Sequence, residues 1–244
     1  QDLTDYLVKH GFGVGDLAKL LNNAEVVRTG GPDESGLEFP ERFFRMGATG
    51  RWSFKHSLLA REILRENKLI TDPASGLTYR WNDEYWKLIT VSEIRQIALS
   101  KLGIESSMAR ANDSASQVVD LSVLPSGTEL NPDPDILCLQ NGQFNLRTGD
   151  VTPFDPDLLC TYQIGVSFDP ENPAECPKWI KFQQQVVQIP EVILEYQEFF
   201  GYCLSRETRY EKALLLVGPG ADGKSTALNV LQALVGEDNC ASVN

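Results

Sequence analysis

Residues 213–226, Ala-Leu-Leu-Leu-Val-Gly-Pro-Gly-Ala-Asp-Gly-Lys-Ser-Thr, decide how this chain is read. Five apolar residues, a glycine-rich turn and an amphipathic run predict a buried strand over 213–217, a tight loop, and a helix over 225–234 with Gly236 as its C-cap. The loop carries the spacing G-x-x-x-x-G-K-[ST] of a phosphate-binding loop. Gly218, Gly220 and Gly223 open backbone angles closed to other residues, so that successive N–H groups can converge on phosphate oxygens. Lys224 would reach the β- and γ-phosphates and is the candidate catalytic residue, while the Ser225 hydroxyl would ligate Mg²⁺. The bare pattern can arise by chance; an apolar strand before it and an amphipathic helix after it make it specific. The candidate nucleotide-binding residues are Gly218, Pro219, Gly220, Ala221, Asp222, Gly223, Lys224, Ser225 and Thr226.

Composition sets wide bounds. The 244 residues, 42% hydrophobic and 23% charged, are those of a soluble globular protein of one or two domains. The start QDLTDYLVKH reads as too polar for a signal peptide, and no apolar run has the length of a membrane span. The first residue is Gln rather than Met and only 18 residues follow Thr226, so the expectation is a piece of a longer protein. A net charge of −12 argues against a non-specific nucleic-acid coat, though not against a local basic face. Cys138, Cys160, Cys176, Cys203 and Cys240 are odd in number and form no C-x-x-C pair. With only His10 and His56 beside them, a zinc site has no ligand spacing, and reduced thiols in a cytosolic protein are expected.

Upstream of the loop, the pattern predicts two short helices within 2–24 and a linker or extended segment on a neighbour over 25–50, with an aromatic island at Phe43-Phe44. A helix over 54–68 buries Leu58, Leu59, Ile63 and Leu64. A hairpin joins 78–81 to 85–88, and helices follow over 91–102 and 107–124. These pieces resemble the ingredients of a winged-helix-like module. Arg80, Lys87, Arg95, Lys101 and Arg110 would then line a DNA-facing side, with Tyr79, Trp81 and Trp86 interleaved. The competing reading makes the tryptophans core and the basic residues solvated, and burial is the commoner use of an aromatic ring. Strands are expected over 136–140, 144–147 and 160–168, with turns at Asn141-Gly142 and Thr148-Gly149-Asp150. Asp135, Asp150, Asp155, Asp157 and Asp169 stand beside turn residues, where a carboxylate closes its own backbone. Helices beginning at Pro177 and Pro190 lead to the strand before the loop.

Three stretches carry a resemblance to a known family. TDYLVKHG (4–11) is similar to the tail of Toprim-type primases. ILCLQNGQFNLRTGDVTPFDPDLLCTYQIGVSFDPENPAECPKWIKF (136–182) resembles a primase–helicase connecting domain in its hairpin, its Thr-Gly turn and its Cys-Pro-x-Trp helix start. FFGYCLSRETRYEKALLLVGPGADGKST (199–226) resembles the approach to the Walker A loop of a superfamily 3 helicase. The chain thus resembles the phage, plasmid and poxvirus-type primase–helicase family.

That resemblance implies an α+β connecting domain over 51–205 and, from 206 to 244, the first strand, loop and helix of an α/β AAA+-like ATPase domain. It implies ATP and Mg²⁺ as ligands, single-stranded or forked DNA and further copies of the chain in a hexameric ring as partners, no membrane, and a location in the cytoplasm of a bacterial or phage-infected cell. It also implies 3′-to-5′ DNA unwinding by the intact protein. The acidic Walker B pair, sensor, arginine finger and DNA-gripping hairpin of the family have no counterparts here. Two other classes stay open at this stage: a different loop-bearing enzyme such as a nucleoside or small-molecule kinase, and a non-enzymatic collar for oligomerisation or DNA binding.

Overall fold

The computed structural model describes residues 40–47 and 51–241. The two helices expected within 2–24, the primase-like stretch 4–11 and most of the expected linker 25–50 lie outside them. The described fold mixes α and β, with six α-helices and three small antiparallel sheets. No helix among these residues is long and apolar enough to cross a membrane.

Three helices hold the first core: α1 (His56–Glu66), α2 (Val91–Leu102) and α3 (Met108–Leu121). Leu59 and Ile63, then Ile94, Ala98 and Leu102, then Ala111, Ala115 and Val118 recur at helical spacing and are buried together. The alanines let α3 approach α2 closely. α2 begins with a capping box: Thr90 Oγ1 accepts from the Glu93 N–H at 3.2 Å, and the Glu93 carboxylate accepts from the Thr90 N–H at 2.7 Å. The Thr90 N–H, helped by the Thr90 hydroxyl donating to the same carboxylate, holds the Glu93 carboxyl below its usual range. Strands β1 (Phe44–Met46) and β2 (Trp52–Phe54) pair across this unit. Phe43 and Phe44, expected in a segment lying on a neighbour, lie on this chain's own helices and are 1% and 4% exposed.

The second sheet runs β3 (Leu69–Thr71), β4 (Thr78–Trp81) and β5 (Trp86–Ile89), in the order β3-β4-β5. The hairpin therefore sits where alternation placed it, between α1 and α2, with Trp81 opposite Trp86. Thr71 fastens it to the end of α3: its N–H donates to Ser122 O at 2.8 Å, and its hydroxyl meets those of Thr78 and Ser122 at 3.0 and 2.7 Å. A chain of three hydroxyls can be buried because each serves the next.

The third sheet joins β6 (Ile136–Leu139), β7 (Gly142–Asn145) and β8 (Val151–Thr152). Its first turn falls at Gln140-Asn141, one residue before the expected Asn-Gly pair, since Leu139 pairs with Gly142. Gly142 is required at the start of β7 because the end of the neighbouring strand β8 lies against it; a side chain there would meet Thr152 O at 2.4 Å. The strand expected over 160–168 does not form. The segment runs beside β6, with Ile164 N–H donating to Cys138 O and Gln140 N–H to Val166 O, but these bonds do not continue as a regular ladder. Two of the five turn aspartates act as expected: Asp155 accepts from the Asp157 N–H, and Asp169 from the Glu171 and Asn172 N–H groups. Asp135 pairs instead with Arg147. Gln143, wholly buried, is satisfied on both sides, donating to Asp155 O and accepting from the Asp155 N–H at 2.9 Å.

The last element group is α4 (Pro177–Val186), α5 (Pro190–Leu204) and α6 (Lys224–Val235). Trp179, Phe182, Tyr196, Phe200 and Ala227 form their common core.

Trp86 ties the second sheet to the segment that leaves the third. Its backbone N–H donates to Cys160 O and its indole N–H to Pro156 O, both at 2.8 Å. Trp86→Phe keeps most of the apolar burial and leaves Pro156 O without its donor. The expected loss is about 1–2 kcal/mol of unfolding free energy, measured by urea denaturation against wild type. No loss would mean that the indole bond does not hold the two sheets together.

Candidate functional site

The glycine-rich loop leads into α6 through Gly223, whose φ of 85° is left-handed. Its floor is α4. A β-carbon on Gly223 would come within 3.0 Å of both the Phe182 ring and Val186 Cγ2, so glycine is required by contact as well as by angle. The first helical bond of α6 runs from the Ala227 N–H to Gly223 O at 3.0 Å. The Ser225 and Thr226 N–H groups precede it and have no acceptor within the helix. Ser225 and Thr226 are exposed on this first turn, where the helix dipole favours an anion.

Lys224 turns back over the loop. Its ammonium lies 2.5 Å from both carboxylate oxygens of Asp222, 3.0 Å from Gly218 O and 3.1 Å from Pro219 O. The bond from Lys224 holds the Asp222 carboxyl below its usual range, with further help from the backbone N–H groups of Asp222 and Lys224. The loop thus gathers a lysine, backbone donors and an anion, and the anion is its own aspartate. Gly218 leaves that carboxylate its room, since a β-carbon there would be 2.0 Å from Asp222 Oδ2. Gly220 and Ala221 face open space at the loop tip. All nine residues expected at this site are contiguous, so what the fold adds is the inward carboxylate and the α4 floor. The helical spacing of Trp179, Phe182 and Val186 on α4 was the available signal for that floor.

The apolar segment before the loop differs from expectation. Residues 213–217 are in no sheet among the described residues, and Leu215 and Val217 are 85% and 83% exposed. A strand needs an edge to pair with, and none of the three sheets presents one beside it. Behind this segment lies a cavity of about 330 Å³, walled by α4, α5 and the loop.

The other end of α6 docks on the third sheet's companion segment. Asn239 Nδ2 donates to Gln163 O at 2.7 Å, and Gly165 lies so close to Ala233 O that a β-carbon would be 3.0 Å from it. Gln163 in turn donates to Glu84 at the hairpin tip at 2.8 Å.

The five basic residues expected on a DNA-facing side are not brought together as one free face. Lys101 is paired with Glu62 and Glu66, and Arg110 with Glu105 while lying over the Phe44 and Phe54 rings. Arg80 and Lys87 are direct cross-strand partners and exposed. Trp86 is buried, as the competing reading had it, with Trp81 half-buried 5.5 Å away.

If Asp222 holds Lys224 over the loop, Asp222→Ala should speed acylation of Lys224 by about two- to fivefold, the range expected of a partly exposed ion pair. Brief acetic anhydride labelling followed by peptide mass mapping reads this directly; an unchanged rate would show that the carboxylate does not retain the lysine.

No curated protein matches the chain. A family model does: the one described as D5 N terminal like matches residues 56–188, from the start of α1 to just past α4, and stops short of the glycine-rich loop. With more than half of its length matched, the chain belongs to the D5 N terminal like family, a domain found in primase–helicase proteins of phages and plasmids.

Proposed function

We propose that this chain is the connecting region and the nucleotide-binding front of an ATP-dependent DNA helicase of the superfamily 3 type, acting in phage or plasmid replication. The observation that carries the reading is order along the chain. A D5 N terminal like region over 56–188 is followed, after one helix, by GPGADGKST at the N-terminus of α6. That order favours a replication motor over a kinase, in which nothing calls for this domain upstream of the loop.

The residues present fit a nucleotide's phosphates. Gly220 and Ala221 leave the loop tip open, the first turn of α6 offers N–H groups, and Lys224 has only its own loop's acceptors to give up. Lys224 would neutralise the β- and γ-phosphates, and Ser225 would hold Mg²⁺, which supplies further neutralisation of phosphate charge. Asp222 would release Lys224 as the nucleotide arrives, because a polyphosphate outbids one carboxylate for the same ammonium.

Binding is the part of the cycle these residues can perform. Hydrolysis also needs a carboxylate to orient water and a cation on the developing charge. The described loop offers one carboxylate, and Lys224 occupies it. The exposed Leu215 and Val217 need strand neighbours, supplied in this reading by the remainder of the motor, whose copies would assemble as a ring on DNA. The 244-residue chain is therefore expected to bind ATP·Mg²⁺ weakly, to lose that binding in Lys224→Ala, and to turn ATP over no faster than that variant. Calorimetric titration and a phosphate-release assay test both. Equal ATP affinity in wild type and Lys224→Ala would overturn the proposal.

A further inference from the structure

We infer that Cys138 and Cys160 form a redox-active dithiol, which a hydroperoxide oxidises to a disulfide joining β6 to the segment that receives the bonds of Trp86. This site stands apart from the glycine-rich loop and does not rest on the phosphate-binding reading. The fold brings the two sulfurs together from separate stretches of sequence. Cys138 stands on β6 directly opposite Gln143 of β7, so their side chains share one buried face of the sheet. The Gln143 amide reaches on to Cys160, its Nε2 donating to Cys160 Sγ at 3.6 Å. The hairpin closes the group from the other side: Cys138 Sγ donates to Glu84 O at 3.8 Å, and Cys160 O accepts from the Trp86 N–H at 2.8 Å. Within this group the two thiols are hydrogen-bond partners.

The partners are chemically unequal. The bond from Cys138 holds the Cys160 thiol below its ordinary value against the cost of burial, with help from the Gln143 N–H and the Arg206 charge. The same bond, together with burial, pushes the Cys138 thiol up. Cys160 is therefore the nucleophile and Cys138 the thiol that resolves it. Cys160 is 2% exposed, yet the next two residues, Thr161 and Tyr162, line clefts of about 320 and 420 Å³. Their segment meets β6 without a regular ladder, so an opening of a few residues brings the sulfur to a molecule as small as hydrogen peroxide. The Cys160 thiolate attacks one peroxide oxygen, the O–O bond breaks, and water leaves with the sulfur as a sulfenic acid. The Cys138 sulfur then displaces that oxygen as a second water. Two thiols lose two electrons and one peroxide becomes two waters. Two buried thiols are also ordinary core filling, a role that calls for no reaction between them.

The test exposes the reduced, folded 244-residue chain to graded hydrogen peroxide, then unfolds it, alkylates the remaining thiols and maps peptides without reductant. A linked Cys138–Cys160 peptide, lost again on reduction, is expected as the main product of both residues. In Cys138→Ala, Cys160 should halt as a sulfenic acid that dimedone traps. In Cys160→Ala, Cys138 should be oxidised about tenfold more slowly than Cys160 is in wild type, having lost the better nucleophile. The exposed Cys176 serves as the internal measure of oxidant. If Cys176 is consumed while Cys138 and Cys160 are both recovered as free thiols, or if they link only in urea-unfolded chain, the pair is core filling and the inference is overturned. The wild-type map decides this even where a variant fails to fold.

Discussion

The structure depends on the pair of hydrogen bonds that Trp86 donates to the segment running from Pro156 to Cys160. One residue of a four-residue strand donates twice, through its backbone and through its indole, to carbonyls about 70 positions away. The described residues through the end of α3 are held by the α1–α2–α3 core or by Thr71 at its edge. The third sheet and the segments that follow it form the other side of this link. Gln163 and Gly165 carry the connection onward to the end of α6, and α6 begins at the loop. A continuous set of hydrogen bonds and close backbone contacts therefore runs from the helical unit to the glycine-rich loop, crossing at Trp86 and at Glu84 of the same hairpin.

The glycine-rich loop is self-satisfied in charge. Lys224 points at two loop carbonyls, and Asp222 supplies the balancing negative charge from within the same loop. This is a local solution to a local problem, and it has a consequence for binding. An incoming anion gains Lys224 only by displacing a carboxylate, so affinity reflects the difference between two ion pairs rather than the strength of one. Partial exposure of both partners keeps that difference small enough for exchange.

Much of the chain was legible from pattern. The 3.6-residue period placed α1, α2 and α3 to within a few residues, because each has one apolar face and a clear stop such as Gly103. The Trp81–Trp86 hairpin was legible because alternation and turn residues agreed. Two strands were misread for one reason. Residues 160–168 and 213–217 have strand-like composition, but a strand exists only against a partner, and partner geometry is not written in the segment itself. Residues 160–168 meet β6 without a regular ladder, and 213–217 meet no edge. At the site, contiguity made the loop visible in the sequence. The α4 floor was hidden, since it comes from a helix about 40 residues upstream whose register on the loop only folding sets.

That helix also bears on how the molecule divides. α4 lies within the residues matched by the D5 N terminal like family, yet Phe182 and Val186 are the surface on which Gly223 rests. A cut made between the matched region and the loop would strip the loop of its floor, and a change in α4 would be felt by Lys224 through Gly223. The segment between them, α5, packs Tyr196 and Phe200 against Trp179 of α4 and is part of the same core as Ala227 of α6. Sequence similarity stops near residue 188, but packing does not. The domain that a family model delimits and the site that it leaves outside share one helix, and that sharing is how a connecting region could bear on the state of a nucleotide loop.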